Sequence, residues 1–330
     1  MNFLDVAPSP HLRTSASTRN VMQDVLIALA PTLVASIYFF GTRSVLMVAV
    51  CVGSCVLFEY LYRLLMKQST MVGDLSAVVT GALLAFCLPV YLPVWMAVIG
   101  CFFAIVVTKQ LFGGLGKNFA NPAIVGRVVL LIAFPLQMTS WTAPGGFYAM
   151  DAVTTATPLG LTWNPNAVMP STLDLFLGRM AGSLGETSAL ALLIGFAYLL
   201  IRRVLTPTIT LSYLGTAFIL FWILDGDPVF HLLTGGLMLG AIFMATDYVT
   251  SPITERGKLI YGIGCGILTV IIRLYGQYPE GVSFAILLMN ILTPHINKLT
   301  RIKPLGHKER LAAQKAQQEL EKEPHTKLTD

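Results

Sequence analysis

Three hydroxyls fall within four residues in the run Asp151-Ala152-Val153-Thr154-Thr155-Ala156-Thr157-Pro158-Leu159-Gly160. On composition alone this is a hydroxyl-rich turn ahead of Pro158. It lies in the longest stretch without spanning apolar character, about 138–184, which also holds Trp141, Phe147 and Tyr148. A connection of that length with little secondary structure is usually functional or disordered.

Two short segments are the next candidates. Gly113-Gly-Leu-Gly-Lys-Asn118 looks superficially like a phosphate loop. It lacks the GxxxxGK[ST] spacing and a preceding strand, so a helix break lining a cavity is the better reading. Met244–Pro252 carries Asp247, two threonines and a proline at the end of an apolar stretch. Ionisable residues within spans are costly and often functional. Asp24, Glu59, Lys109, Glu186 and Asp247 all fall near span ends, where snorkelling or capping accounts for them. His11 precedes the first span and is read as a capping or packing residue. Cys51, Cys55, Cys87, Cys101 and Cys265 sit in apolar stretches without metal-ligand spacing, as small buried hydrophobes.

The elements that must position these groups follow from composition. Of 330 residues, 55% are hydrophobic and 12% charged; mean hydropathy is +0.71. A soluble domain carries about 25% charged residues. A chain this apolar cannot cover itself with polar groups unless a bilayer removes the need. The net charge of +5 is scattered over loop ends. That pattern excludes a nucleic-acid partner. The first 21 residues are polar and show no signal-type apolar core, so Val21–Phe40 reads as a retained first helix.

A helix needs about 20 apolar residues to cross the hydrocarbon. Ten segments qualify, at roughly 22–41, 44–66, 74–90, 92–111, 122–138, 185–202, 208–224, 229–248, 258–275 and 281–298. Continuous rather than alternating apolar runs favour helices over barrel strands. With the N-terminus inside, Arg13, Arg19, Arg63, Lys67, Lys109, Lys117, Arg202, Arg203, Arg256, Lys258 and the basic tail fall on the cytoplasmic side. Only Arg43, Arg179 and Arg273 then fall outside. This positive-inside asymmetry supports an even span count with both ends in the cytoplasm. Thr80-Gly81 and Thr234-Gly235 occupy the third segment of each half, which points to a five-plus-five inverted repeat with broken central helices. The organisation read from this is an N-terminal arm (1–21), a helical bundle (22–300) with an external loop (138–184), and a solvated charged tail (301–330).

Six blocks, in order, resemble the RnfD/NqrB family of membrane subunits. They are Ser9–His11, Gly73–Pro89, Gly113–Arg127, Gly182–Leu200, Gly235–Pro252 and Pro279–Asn290. The short N-terminal arm resembles the RnfD branch. The resemblance implies an all-α polytopic fold of about ten helices, similar to urea transporters. It implies a place in a bacterial inner-membrane complex that couples electron transfer from ferredoxin or a nicotinamide to Na+ or H+ movement. Its partners would be iron–sulfur and second FMN subunits, the bilayer and a flavin transferase. The family carries FMN on a threonine through a phosphoester on the periplasmic side, and riboflavin is a further expectation. The transferase pattern of Asp, then Ser or Thr, usually Gly, then Ala-Thr is matched by Asp151, Thr154, Ala156 and Thr157. Thr155 stands where Gly is usual, and the threonine directly after Ala makes Thr157 the expected acceptor. Trp141, Phe147 and Tyr148 would either stack on the ring or join an interfacial aromatic belt. The alternatives are a small-solute channel of urea-transporter type without redox chemistry, or a structural scaffold.

Overall fold

The computed structural model describes residues 17–67, 72–145, 154–162, 169–186, 188–276 and 281–301. Polar caps open the first helices. α1 (Thr18–Phe40) starts at Ser17, whose hydroxyl accepts the Asn20 N–H at 3.3 Å, and stops at Gly41. α2 (Thr42–Leu65) follows directly. Asp74 then accepts both the N–H (3.0 Å) and the hydroxyl (2.7 Å) of Ser76, opening α3 (Ser76–Phe86). α4 (Val94–Phe102) runs on as a π-helical segment, Phe103–Gln110. Asn121 caps α5 (Pro122–Ala133), with Pro122 at the first helical position, where its missing N–H costs nothing. α6 (Pro135–Met138) leads to a two-residue strand pair, β1 (Trp141–Thr142) and β2 (Thr154–Thr155).

The remaining helices are α7 (Pro158–Leu161), α8 (Thr172–Leu177), α9 (Ala189–Ile201), α10 (Thr208–Leu224) and α11 (Pro228–Leu233). α12 (Leu237–Leu239) passes into a second π-helical segment, Gly240–Met244. α13 (Glu255–Tyr275) and α14 (Val282–Leu299) complete the chain.

Each of the ten apolar segments contains helix. α1, α2, α13 and α14 are long and apolar enough to cross a membrane; the other apolar helices are shorter. Large apolar side chains such as Trp222, Ile223 and Leu211 on α10 stand exposed, as a bilayer-facing surface requires. The protein is a mostly helical, multi-pass membrane protein.

The third and eighth segments differ from simple spans. α3 has 11 residues, about 16 Å at 1.5 Å per residue, roughly half of the hydrocarbon thickness. The eighth segment is interrupted at Gly235 and Gly236, both with φ 68°, a left-handed backbone open to glycine at little cost. Residues 81–90 and 236–245 are buried without interruption, so the two broken elements form the centre of the molecule. An element apolar all round belongs inside a bundle. The orphan carbonyls past the end of α3 are met by the chain before α9: Gly185 N–H donates to Phe86 O at 2.8 Å and Leu184 N–H to Leu88 O at 3.3 Å. Around this centre α1 packs on α9, α2 on α3 and α4, and α10 on α13. α1 and α9 approach closely because Gly195 has no Cβ; one built there would meet Ala28 O.

Candidate functional site

Thr157 sits where an extended strand turns into helix. β2 pairs antiparallel with β1, with Trp141 opposite Thr155 and Thr142 opposite Thr154. The chain then reaches Thr157 (φ −64°, ψ 158°), the N-cap of α7. Its Oγ1 accepts the Gly160 N–H at 3.1 Å, and its carbonyl accepts the Leu161 N–H at 2.9 Å. Pro158 occupies the first helical position. The hydroxyl oxygen is thus held in one orientation at the start of a single turn.

The motif calls for an acceptor threonine in an exposed loop. The geometry corrects this in part. Thr155 and Ala156 are exposed, while Thr157 is only 8% exposed, its hydroxyl engaged by the Gly160 N–H. The cause is the next apolar residue. Leu159 is 3% exposed and packs with Leu175, Met180, Phe230 and Leu233 in a small cluster apart from the main core. That packing draws the whole turn onto the protein. Trp141, in β1, is buried. Asp151, Phe147 and Tyr148 lie outside the described residues.

Below the turn is the break in the second half. Arg273, in the last turn of α13, donates to His231 O (2.6 Å), Thr234 O (2.9 Å) and Gly235 O (3.0 Å). One guanidinium therefore satisfies three carbonyls that the interrupted helix leaves open. Its edge also lies near the Phe221 ring, on which His231 stacks at 3.9 Å with planes 5° apart. On the other side of the break, Glu186 lies against Gly236 and pairs with Arg127 at 3.7 Å.

A second polar centre lies in the first half. Glu59 is fully buried and accepts from Arg63 (2.6 Å) and Lys109 (2.7 Å). Lys109 Nζ also donates to Ser76 Oγ at 2.6 Å, and its side chain is 2% exposed. Snorkelling therefore does not explain Lys109, and capping does not explain Glu59. They form a buried, hydrogen-bonded ion cluster that ties α2, α3 and the π segment after α4 together. Glu186 is likewise buried and paired. Asp24 does bind outward, to Tyr198 Oη (2.9 Å) and to the largely exposed Arg202 (3.3 Å).

Between the two halves runs a cavity with aliphatic walls from Val25, Val79, Leu83 and Ile242. Its polar lining comes from Ser76, Thr80, Lys109, Asn118, Asn121 and Asp247. The glycine-rich segment reaches it through Leu115 and Asn118; Gly113, Gly114 and Gly116 all have positive φ. The Gly113–Asn118 and Met244–Pro252 segments thus meet at one cavity. Cys51, Cys55, Cys87, Cys101 and Cys265 are buried free thiols. Among the described residues no three His, Cys, Asp or Glu side chains gather as a metal site.

Sequence reasoning misses Leu159 and Arg273. A leucine two residues past the acceptor carries no chemical signal. Arg273 enters the charge pattern only as one of few external cations, and its presence inside a span is the clue.

The profile of the NQR2, RnfD, RnfE family matches residues 5–306. The chain is 49% identical over 306 residues to the D subunit of the Na+-translocating ferredoxin:NAD+ oxidoreductase complex of Acetobacterium woodii, covering 92% of this chain and 95% of that one. It is 40% identical over 318 residues to the D subunit of the proton-translocating ferredoxin:NAD+ oxidoreductase complex of Clostridium ljungdahlii, covering 91% and 95%. It is also 40% identical over 329 residues to the D subunit of the ion-translocating oxidoreductase complex of Ectopseudomonas mendocina, again 91% and 95%. With a family match and relatives that both extend over nearly the whole chain, the protein belongs to the NQR2, RnfD, RnfE family.

Proposed function

We propose that this chain is the D-type membrane component of an Rnf-type ion-translocating oxidoreductase complex, carrying FMN esterified to Thr157 and relaying electrons between ferredoxin- or nicotinamide-side partners and other membrane redox centres. The observation that carries this reading is the Asp151–Thr157 pattern, set in a chain that fits the family from residue 5 to residue 306. The Thr157 turn suits the group in one respect: the acceptor is held by a backbone hydrogen bond beside the exposed residues Thr155 and Ala156. When bound, FMN supplies one- and two-electron redox chemistry. The chain's own part is to tether it, fix its position and keep water from the bundle behind it. Leu159 seats the turn, and Arg273 holds the backbone under that seat.

The cavity between the halves suits a second, non-covalent flavin such as riboflavin. Its aliphatic walls match a flat ring, and Asn118, Asn121, Ser76 and Thr80 offer partners for ring carbonyls and ribityl hydroxyls. The chain has no CxxC and no GxGxxG, so iron–sulfur and nicotinamide chemistry belong to partner subunits. A flavin transferase must supply the covalent group. Both termini are assigned to the cytoplasm and the Thr157 turn to the periplasm, on the distribution of lysine and arginine. The helical order, with α3 and the broken eighth segment as third members of each half, supports the five-plus-five repeat. The named relatives use different ions, so family membership does not assign the ion moved here.

Flavin fluorescence in a denaturing gel tests the reading. In cells with the transferase the wild-type band fluoresces, Thr157→Ala is dark, and Thr155→Ala keeps signal. A fluorescent Thr157→Ala band overturns the acceptor assignment.

A further inference from the structure

An enzyme that modifies Thr157 must reach the oxygen of a residue only 8% exposed and engaged with the Gly160 N–H. What keeps this turn closed is local and small. β1 and β2 have two residues each and α7 has four. Neither a strand pair nor a helix of that length is stable alone. Pro158 and Leu159 are the buried residues of α7, and Leu159 is the one seated in the apolar cluster with Leu175, Met180, Phe230 and Leu233.

The floor of this seat is Gly235. A Cβ built there would strike Leu159 Cδ1 and would come within 2.7 Å of Arg273 Nη2. Gly235 is itself fixed, because Arg273 holds its carbonyl at 3.0 Å and that of Thr234 at 2.9 Å. An apolar side chain thus enters a socket whose wall is braced by a buried cation. The socket also sits on the break of the central helix, so it joins the turn to the core of the second half.

We infer that Leu159 is a latch: seated against Gly235 it closes the Thr157 turn, and the flavin is attached while the latch is withdrawn. This rests on the reading of Thr157 as the flavin acceptor. In the attachment step the Thr157 hydroxyl oxygen forms a bond to the phosphorus of the flavin phosphate. The phosphoanhydride of an activated flavin donor breaks, its nucleotide leaves with the electron pair, and the hydroxyl proton passes to the transferase. When Leu159 reseats, the tethered group is held at a fixed place on the outer end of the second half.

The test measures access to position 157 and flavin attachment separately, in the full chain co-expressed with its complex. Thr157→Cys places a thiol at the acceptor position, in a chain whose five native cysteines are buried. Labelling by a membrane-impermeant maleimide is slow with Leu159 present. It rises about tenfold or more in Leu159→Ala or Gly235→Ala, the scale expected when a buried leucine contact is lost. It returns toward the starting rate in Leu159→Met, which can refill the seat. In the Thr157 background with transferase limiting, Leu159→Ala acquires in-gel fluorescence faster than wild type, and its attached flavin shows lower fluorescence anisotropy. An unchanged labelling rate in Leu159→Ala beside a fluorescent wild-type band overturns the latch and leaves the flavin reading standing. A dark wild-type band overturns the flavin reading, while the thiol rates still decide the latch. If Leu159→Ala exposes the native cysteines, Leu159→Val carries the test, and a rate equal to that with Leu159 overturns the proposal.

Discussion

Glu59→Leu removes the one anion from the buried cluster of the first half. Arg63 is 10% exposed, on the last turn of α2. Lys109 is 2% exposed and keeps a single neutral partner, Ser76 Oγ. Breaking a buried pair so that one charge is left alone costs about 3–5 kcal/mol. Lys109→Met leaves Glu59 its 2.6 Å bond to Arg63 and loses two charge-assisted hydrogen bonds, to Glu59 and Ser76, at about 1.5–3 kcal/mol each. The double variant removes both the stranded lysine and its partner. Its total cost should therefore fall short of the sum of the single costs by about 2 kcal/mol or more. Unfolding can be followed with a thiol-reactive fluorophore in detergent, since all five cysteines are buried until the fold opens. Additive costs across the cycle would refute the reasoning.

Two further outcomes follow from the packing and the charge pattern. Gly195→Ala should lower the unfolding midpoint, at a cost of about 1–3 kcal/mol, because its Cβ meets the backbone oxygen of Ala28 on α1; an unchanged midpoint would mean that α1 and α9 are not apposed as described. Cysteines introduced at positions 228 and 203 should label from opposite sides in right-side-out vesicles, 228 first; the reverse order would turn the molecule over and place the Thr157 turn in the cytoplasm.

The helices are legible because apolar length is a strong signal: all ten apolar segments carry helix, four of the described helices are long and apolar enough to cross a membrane, and the boundaries of α10 agree with the pattern to the residue. The breaks are legible in part. Thr80-Gly81 and Thr234-Gly235 mark the two central elements, but α3 stops at Phe86, short of the segment end near residue 90. Nothing local shows that its carbonyls will be met by Gly185 and Leu184, nearly a hundred residues on. The ion cluster escapes sequence reading for a related reason. Hydropathy places Glu59 and Lys109 near span ends, where a long side chain reaches water, whereas packing of α2 against α3 and the π segment closes that route. At the candidate acceptor the motif points to Thr157, and the seating of its turn comes from a tertiary contact, Leu159 on Gly235, which no motif encodes.

The most direct test of the central claim is tandem mass spectrometry of the chain purified from cells that make the whole complex and the transferase. Trypsin releases one peptide between Arg127 and Arg179, which contains every threonine of the motif. The expected result is this peptide with FMN added and one water lost, and fragment ions that place the added mass on Thr157. The same peptide recovered unmodified, or modified at Thr154 or Thr155 with Thr157 free, would contradict it.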